Sequence, residues 1–488
     1  MSLSANFPTT RPSLLLDFVN SGQMDPRITF SRASGATWFN SAGTLIGVDA
    51  SSSSLTVGTG QQTLTLAATA GVDRGWIVGT SVLLSASTVT NTMTGVVVSY
   101  TASTQVLVVN VASVVGSGTY STWQVSNLMP RFDYNPSTLA AQGLLIEESR
   151  TNLITSSAVL PAGVNVTITA DTFVAPDGTT TGDQILDNAT LGEHYSDSSF
   201  TPTAATNYTF SAYIKNIGAS SSNYAVVRMA GDFAAYVFVQ LSDMTVALAG
   251  GAGLVANSAS VTPANNGWYR VTVSGLSTGT VASVARIQVA QSLSLSAYVG
   301  TGVGFAVWGR QLEAGAFPTS YIPTTATALT RAADVASVNT LSPWFNASTG
   351  TLFTESQQLP GQTAAVFPRI AVIDDGSTNN SILNLWRSDT SRLYGAVRVG
   401  AVDQADVGTT GVTQTNVNKI GFAYATNDFA ASVNGGAPST DTLGAVPSGL
   451  TTLRIGRSSG TDFLNGYLRR ITYYPRRLSN AELQAITA

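Results

Sequence analysis

Two groups of residues in this chain combine aromatic rings with planar polar side chains. Proteins bind sugars with such pairs, because rings pack on the C–H faces of a sugar while amides and guanidinium groups bind its hydroxyls. The glycan-binding candidates, first near the C-terminus and then in mid-chain, are Trp386, Arg387, Tyr394, Asn379 and Asn380, and His194, Tyr195, Arg228 and Tyr236. Burial in a core is the favoured alternative for any single tryptophan. For His194, a surface or strand-edge position without chemistry is favoured.

Catalytic groups are scarce in the sequence. There is no cysteine, and His194 is the only histidine, which excludes a thiol nucleophile, a cysteine-ligated zinc and a multi-histidine metal site within one chain. Glu147 and Glu148 are adjacent, and adjacent residues of a strand point to opposite faces. We expect one of them to be buried against an arginine such as Arg150 and the other to be solvated. The chain is therefore predicted not to be an enzyme.

A short acidic segment is the one metal-site candidate. Asp374 and Asp375 begin the run DDGSTNN, which concentrates the oxygen ligands that calcium prefers but lacks the full spacing of an EF-hand loop. Asp-Gly between two apolar runs is also a good hairpin turn, and we favour the turn. No other cofactor is predicted.

Composition limits the class of protein. At 488 residues the chain is long enough for about three domains. Only 10% of the residues are charged, and the net charge is −4 with just two lysines, so no positive field for nucleic acid is expected. No apolar run reaches the roughly 18 residues of a membrane span. The first residues also show no evident signal peptide.

The local pattern is that of β-structure almost throughout. Alternating runs rich in Val, Thr, Tyr and Phe, such as 106–111, 208–213 and 268–273, are separated by turns of Gly, Ser, Asn and Asp. This spacing predicts β-sandwiches or barrels. One helix is expected at the C-terminus, because Ser479 and Glu482 form a capping box before the apolar pair Leu483 and Ile486. The predicted fold class is all-β, with one short C-terminal helix.

Shifts in composition divide the chain into four predicted units. Residues 49–125 are especially rich in Ser, Thr and Val and interrupt segments of a different style, which predicts a small β-domain inserted into a loop. The predicted units are 1–48 plus 126–153, the inserted 49–125, a jelly-roll sandwich over 154–330 and a second sandwich over 331–488.

Four segments resemble virion proteins of tailed bacteriophages. LDFVNSGQMDPRITFSRASGATWFNSAGTLI, continued by PRFDYNPSTLAAQGLLIEESRTNLI, is similar to a module of phage tail and tail-fibre-like proteins, and SLTVGTGQQTLTLAATAGVDRGWIVGTSVLLSAS to a small module found inside them. NGWYRVTVSG with VWGRQLEAGAFPTSYIPT resembles a carbohydrate-binding-like jelly roll. FLNGYLRRITYYPRRLSNAELQAIT resembles the end of a concanavalin A/laminin-G-like sandwich.

The resemblance implies a phage virion appendage, such as a tail fibre, tail tip or spike. Its expected role is attachment to the host by non-catalytic binding of surface polysaccharide or lipopolysaccharide, with the N-terminal module as the anchor to other virion proteins. It implies assembly in the host cytoplasm and a homo-oligomer, with a trimer favoured, without nucleic acid or membrane insertion. A purely structural tail or capsid decoration and a polysaccharide depolymerase remain the alternatives.

Overall fold

Nearly all of the regular structure is β, which confirms the predicted fold class. The computed structural model describes residues 11–86, 90–218, 223–255, 258–362, 366–460 and 462–488. Residues 1–10 of the first predicted unit lie outside this range. Within it there is one α-helix, α1 (Asn480–Thr487), and no helix long and apolar enough to span a membrane.

The strands are numbered in chain order. The first fifteen are β1 (Leu14–Asp17), β2 (Ile28–Ser31), β3 (Trp38–Phe39), β4 (Leu45–Ile46), β5 (Val48–Ser51), β6 (Leu55–Thr56), β7 (Gly60–Thr65), β8 (Ser81–Ala86), β9 (Thr92–Thr101), β10 (Val106–Val115), β11 (Thr119–Tyr120), β12 (Trp123–Asn127), β13 (Arg131–Tyr134), β14 (Ala141–Ile146) and β15 (Arg150–Asn152). The middle of the chain holds β16 (Val166–Val174), β17 (Thr180–Asp187), β18 (Leu191–Gly192), β19 (His194–Phe200), β20 (Asn207–Asn216), β21 (Tyr224–Ala230), β22 (Tyr236–Gln240), β23 (Thr245–Gly250), β24 (Ser260–Pro263), a single 3-10 turn (Asn265–Gly267), β25 (Trp268–Leu276), β26 (Ser283–Ala290), β27 (Tyr298–Val299) and β28 (Gly304–Ala314). The last strands are β29 (Leu329–Arg331), β30 (Val335–Val338), β31 (Thr349–Gln358), β32 (Arg369–Asp374), β33 (Ser381–Arg387), β34 (Arg392–Val399), β35 (Val402–Thr409), β36 (Asn418–Ala425), β37 (Asp428–Val433), β38 (Ser439–Asp441), β39 (Thr452–Ile455) and β40 (Gly466–Tyr474).

Two large sheets form the C-terminal sandwich. One has the order β13-β14-β40-β31-β36-β37-β38, with β1 also paired to β40, and the other the order β2-β30-β39-β32-β33-β34-β35. Apolar side chains that alternate along these strands meet between the two sheets and exclude water. The core that results includes Leu14, Leu144, Ile373, Trp386, Phe422 and Tyr473.

The N-terminal segments complete this sandwich. Strands β1, β13 and β14 lie in one sheet, and β2 pairs with β30 in the other. The division of the chain predicted from the sequence treats these segments as a unit of their own and did not anticipate the pairing. Its exact boundaries remain a prediction.

The chain enters and leaves the mid-chain sandwich at one place beside the C-terminal sandwich. Its sheets have the orders β16-β17-β28-β20-β25-β24 and β19-β26-β21-β22-β23. The strands before and after it, β15 and β29, pair antiparallel with each other, so the two ends of the segment are close together. A further six-stranded sheet, β5-β12-β8-β9-β10-β7, is built from residues 48–127 and begins and ends on the neighbouring strands β5 and β12.

Five charged residues with no exposed side-chain surface lie where these segments meet. Arg131 donates from Nη1 to Glu147 at 2.6 Å and from Nη2 to Asp334, and Arg32 reaches the same Asp334 at 3.0 Å. Arg331 lies 3.5 Å from Glu147. Because removal of one member leaves buried charge without a partner, this cluster fixes how the segments meet.

As expected from the sequence, one of the two adjacent glutamates is buried against an arginine and the other is partly solvated. The arginine that pairs with the buried glutamate is not Arg150. Glu147 is the buried one, and its partner is Arg131 rather than Arg150. Glu148 is partly exposed and accepts a hydrogen bond of 2.6 Å from Nε of Arg150.

The C-terminal helix follows its predicted capping box. The Ser479 hydroxyl accepts from the backbone N–H of Glu482, whose carboxylate accepts from the backbone N–H of Ser479. Leu483 and Ile486 are buried against Phe353 and neighbouring residues on the outer face of the sheet that contains β31.

Candidate functional site

A shallow groove crosses the outer face of the sheet that contains β32, β33, β34 and β35. Every second side chain along these strands is buried in the sandwich core, so the remaining side chains face outward. Residues directly opposite one another form three rows across the sheet: Asp374, Ser381, Arg398 and Asp403; Arg454, Val372, Leu383, Ala396 and Asp406; and Arg369, Leu385, Tyr394 and Gly408. The groove encloses about 350 Å³.

The floor of the groove is apolar. Val372, Leu383, Leu385 and Tyr394 pack together there with Ala396 beside them. Burial, followed by the charge of Asp406, raises the pKa of the Tyr394 hydroxyl to about 12, so this group is neutral at physiological pH. A floor of this kind can take the apolar face of a ligand without offering it charge.

Paired charges surround that floor. Arg454 lies 2.6 Å from Asp374, Arg398 2.8 Å from Asp403 and Arg392 2.6 Å from Asp406. The Arg392 guanidinium is also 4.4 Å from the centre of the Tyr394 ring. The rim therefore offers N–H donors and carboxylate acceptors side by side, while their charges balance pairwise.

One exposed aromatic residue at the groove was not among the candidates. The Phe367 side chain lines the groove, and the residue is 37% exposed. The guanidinium carbons of Arg369 and Arg387 lie 5.9 Å and 5.7 Å from the centre of its ring. A phenylalanine directly before Pro368 and Arg369 carries no sequence signal that separates it from a core residue.

Two of the C-terminal candidates belong to this surface. Tyr394 is part of the floor, and Arg387 lies beside Phe367, where it donates to Asp389 at 2.9 Å. Asn379 and Asn380 lie in the loop between β32 and β33 at the other end of the groove. The Asn380 side chain is engaged within that loop, because it donates to Asp375 at 2.8 Å and accepts from the backbone N–H of Gly400 at 2.9 Å.

Trp386 must be removed from the candidates. It lies on β33 between two outward-facing residues, and its side chain points into the core with no exposed surface. A ring in that position cannot stack on a sugar. The alternative favoured for tryptophans applies here, since the indole packs between the two sheets.

The acidic segment forms the turn between β32 and β33, as favoured from the sequence, and the hydrogen bonds of Asp374 and Asp375 are those of a turn. Asp374 pairs with Arg454 and accepts from the backbone N–H of Gly376 at 2.9 Å. Asp375 accepts from the hydroxyl of Ser377 at 2.6 Å and from Asn380, and these hydrogen bonds lower its pKa. Both carboxylates therefore already bind neighbouring residues of this chain. In the described part of the chain, no group of three His, Asp or Glu residues is placed to hold a metal ion.

The mid-chain candidates separate onto two faces of one sheet. Tyr195, Arg228 and Tyr236 lie on the outer face of the sheet that contains β19, β26, β21 and β22. His194 faces the other way, with no exposed surface, and its ring nitrogens lie 2.6 Å from the carbonyl oxygen of Asn165 and 3.1 Å from that of Tyr298. His194 begins β19, the edge strand of its sheet, but it is not a surface residue and is not part of this face.

No family model matches the chain, and no curated protein matches it. Among solved structures, the chain is similar to the CBM40 domain of the Ruminococcus gnavus IT-sialidase, solved bound to alpha2,3 sialyllactose, at 16% identity over 29% of this chain and 84% of that one, with a TM-score of 0.25. It is also similar to domains LG4-5 of the mouse laminin alpha1 chain, at 9% identity over 66% and 96% and a TM-score of 0.20. The Trypanosoma rangeli sialidase in complex with the inhibitor DANA matches at 8% identity over 98% and 97%, with a TM-score of 0.26. Similarity at these TM-scores assigns no function to this chain.

Proposed function

We propose that this protein binds glycans without cleaving them and that the groove on the C-terminal sandwich is the binding site. The observation that carries the proposal is the apolar floor around Leu383 and Tyr394, enclosed by arginine–aspartate pairs and flanked by the exposed ring of Phe367. A sugar ring has apolar C–H faces and a rim of hydroxyls that both donate and accept. The floor and rim of the groove match both properties.

The charge arrangement supports a ligand rich in hydroxyl groups. Asp403 and Asp406 are exposed and each is paired with an arginine, so an incoming hydroxyl meets a donor and an acceptor within one pair. Hydrogen bonds to charged groups contribute roughly 1.5–3 kcal/mol each, but the ligand must displace water to form them. We therefore expect weak binding at each site, strengthened when several copies engage one surface.

The same pairing favours binding over hydrolysis. Glycoside hydrolysis in most families needs two carboxyl groups beside the scissile bond, one of which must supply a proton. In the groove each of the three carboxylates already forms an ion pair with a guanidinium group. We propose that the protein is not an enzyme on this basis.

The biological setting follows from the resemblance of four segments to phage virion proteins. On that resemblance we propose that the protein belongs to a phage particle assembled in the host cytoplasm. There it would contact other virion proteins and attach the particle to polysaccharide or lipopolysaccharide of the host surface. Several copies, with three favoured, would supply the avidity that weak sites need. Structural decoration and depolymerisation are the competing functions.

The test is incubation of the purified chain with polysaccharides extracted from candidate bacterial surfaces. Both the retained glycan and its chain length are measured. We expect retention at unchanged length, with at least tenfold weaker retention by Phe367→Ala and Asp406→Asn. Leu191→Ala is the matched control, because it removes an exposed apolar side chain from the mid-chain sandwich. Shortened chains would indicate a depolymerase, and no retention of any glycan at high protein concentration would leave the structural role.

A further inference from the structure

We propose a second ligand site, for a saccharide that bears a carboxylate, on the outer face of the five-stranded sheet of the mid-chain sandwich. The face is defined by β19, β26, β21 and β22. It belongs to a different sandwich from the groove, so this inference extends the proposed glycan binding to a charged ligand but does not depend on the groove.

Strand register brings the relevant side chains into two neighbouring rows. Directly opposite residues share a face, so each row reads across four strands. The first row is Asp197, Arg286, Arg228 and Tyr236, and the second is Tyr195, Gln288, Val226 and Phe238. Two guanidinium groups therefore lie directly opposite each other in the centre of this face.

The two arginines differ in how their charge is balanced. Arg286 donates to Asp197 at 2.7 Å and to Glu193 at 2.6 Å, and it lies 3.3 Å from the centre of the Tyr195 ring. Arg228 forms no ion pair with any residue in the described part of the chain. It donates only a long hydrogen bond of 3.3 Å, to Oε1 of Gln288. Burial and then the charge of Arg286 lower the pKa of Arg228, and the carboxylates of Glu193 and Asp197, which bind Arg286, offset this only in part.

Gln288 provides a second, independent observation. Its side chain has no exposed surface, and its Nε2 atom has no acceptor, although Oε1 is occupied by Arg228. A buried polar group without a partner costs roughly 1–3 kcal/mol. Like charges placed opposite each other on a sheet also reduce stability. Two such costs side by side are typical of a functional surface.

The missing partner must be an acceptor. The unsatisfied groups, the guanidinium of Arg228 and the amide nitrogen of Gln288, are both N–H donors, and one of them carries positive charge. A carboxylate accepts several hydrogen bonds at once and forms the direct ion pair that Arg228 lacks, whereas a neutral hydroxyl forms no ion pair.

An aromatic surface lies beside these donors. Tyr236 is opposite Arg228, and its ring lies over Gly250, where a Cβ atom would come within 2.9 Å of the Tyr236 hydroxyl oxygen. Phe238 supports the ring edge-to-face at 5.7 Å. A carboxylate bound at Arg228 would therefore place the sugar ring that bears it next to an aromatic face.

The test measures binding of the full chain to immobilised acidic oligosaccharides, namely oligogalacturonate, oligomannuronate and hyaluronan fragments. Binding to each acid is compared with binding to its methyl ester. We expect binding of at least one acidic oligosaccharide, at least tenfold weaker binding of its ester, and at least a tenfold loss with Arg228→Gln. Arg27→Gln is the control, since it removes an exposed arginine that lies in neither proposed site. Phe367→Ala should leave this binding unchanged, which separates this site from the groove.

A second variant covers the case in which Arg228→Gln fails to fold. Gln288→Glu supplies a carboxylate to Arg228 from within the chain, so it should abolish binding of the acidic oligosaccharide without lowering the thermal transition. The proposal is overturned if no acidic oligosaccharide binds at millimolar concentration. Equal binding of acid and ester, or full binding by the folded variants, would overturn it as well.

Discussion

Oε2 of Glu147 lies 2.6 Å from Nη1 of Arg131, and neither side chain has exposed surface. Ser320, which follows the mid-chain sandwich, adds hydrogen bonds to the same carboxylate from its hydroxyl at 2.7 Å and its backbone N–H at 2.8 Å. Burial alone would raise the pKa of Glu147, but Arg331 and Arg131 outweigh it and lower the pKa to about 2. This carboxylate therefore joins strands of the C-terminal sandwich to the segment that follows the mid-chain sandwich.

Glu147→Gln should destabilise the protein by about 3–5 kcal/mol, because it leaves three buried guanidinium groups with the single carboxylate of Asp334. The stabilisation from Glu147 is present above its unfolded pKa and is lost as the pH falls through about 2. Chemical denaturation at pH 7 measures the difference. Glu148→Gln is the matched control and should cost at most about 1 kcal/mol, since Glu148 is partly solvated. Equal effects of the two variants would contradict a special role for the buried pair.

Asp133 should make stability depend on pH in the opposite direction. Burial raises its pKa to about 6, although the Phe39 backbone N–H and the Tyr467 hydroxyl donate to it. The folded chain therefore keeps a proton that the unfolded chain releases near pH 4. The contribution of Asp133 to stability is therefore greatest below that pH, and it falls by about 3 kcal/mol as the pH rises through 6.

Denaturation curves at pH 4, 5, 6 and 7 test this expectation. Asp133→Asn keeps the shape and the acceptor oxygen but cannot ionise, so the fall should be much smaller in the variant. Other carboxyl groups titrate in both proteins, and the difference between the two curves isolates Asp133. Parallel curves for the wild type and the variant would show that Asp133 does not titrate in this range.

The sequence predicted the class of the fold and its local signals better than its connections. Alternation along the run 106–111 depends only on which face of the strand is buried. The capping box of α1 lies within four residues. The pairing of β1 with β40 joins residues more than 450 positions apart. Local periodicity carries no information about such pairs, because any exposed edge of suitable length satisfies the same pattern.

The candidate site was only partly predictable for a related reason. Residue type identified Tyr394, Arg228 and Tyr236 as able to bind sugars, but the face of the strand decides whether a side chain can reach one. Trp386 and His194 lie one position from the outward-facing Arg387 and Tyr195, and this single-residue shift buries them. Gln288 went unnoticed because its importance comes from a missing partner, which no sequence pattern shows.

Ser479→Ala should lower stability by about 1 kcal/mol, because the helix α1 loses its capping hydrogen bond to the N–H of Glu482. Ser479→Thr keeps a hydroxyl oxygen at that position and should lose much less. Chemical denaturation at pH 7 compares both with the wild type. If the alanine variant were as stable as the threonine variant, the packing of Leu483 and Ile486 alone would hold the helix.

Ala396→Trp should block the groove while the sandwich remains folded. Ala396 faces outward on β34 between Leu383 and Asp406, so an indole at this position would cover the floor and occupy much of the 350 Å³. For any glycan that the wild-type groove retains, we expect at least a tenfold loss of retention and an unchanged thermal transition. Ala396→Ser, which adds one polar atom, should retain the glycan. Full retention by a folded tryptophan variant would exclude the groove and leave the face around Arg228 as the site to test.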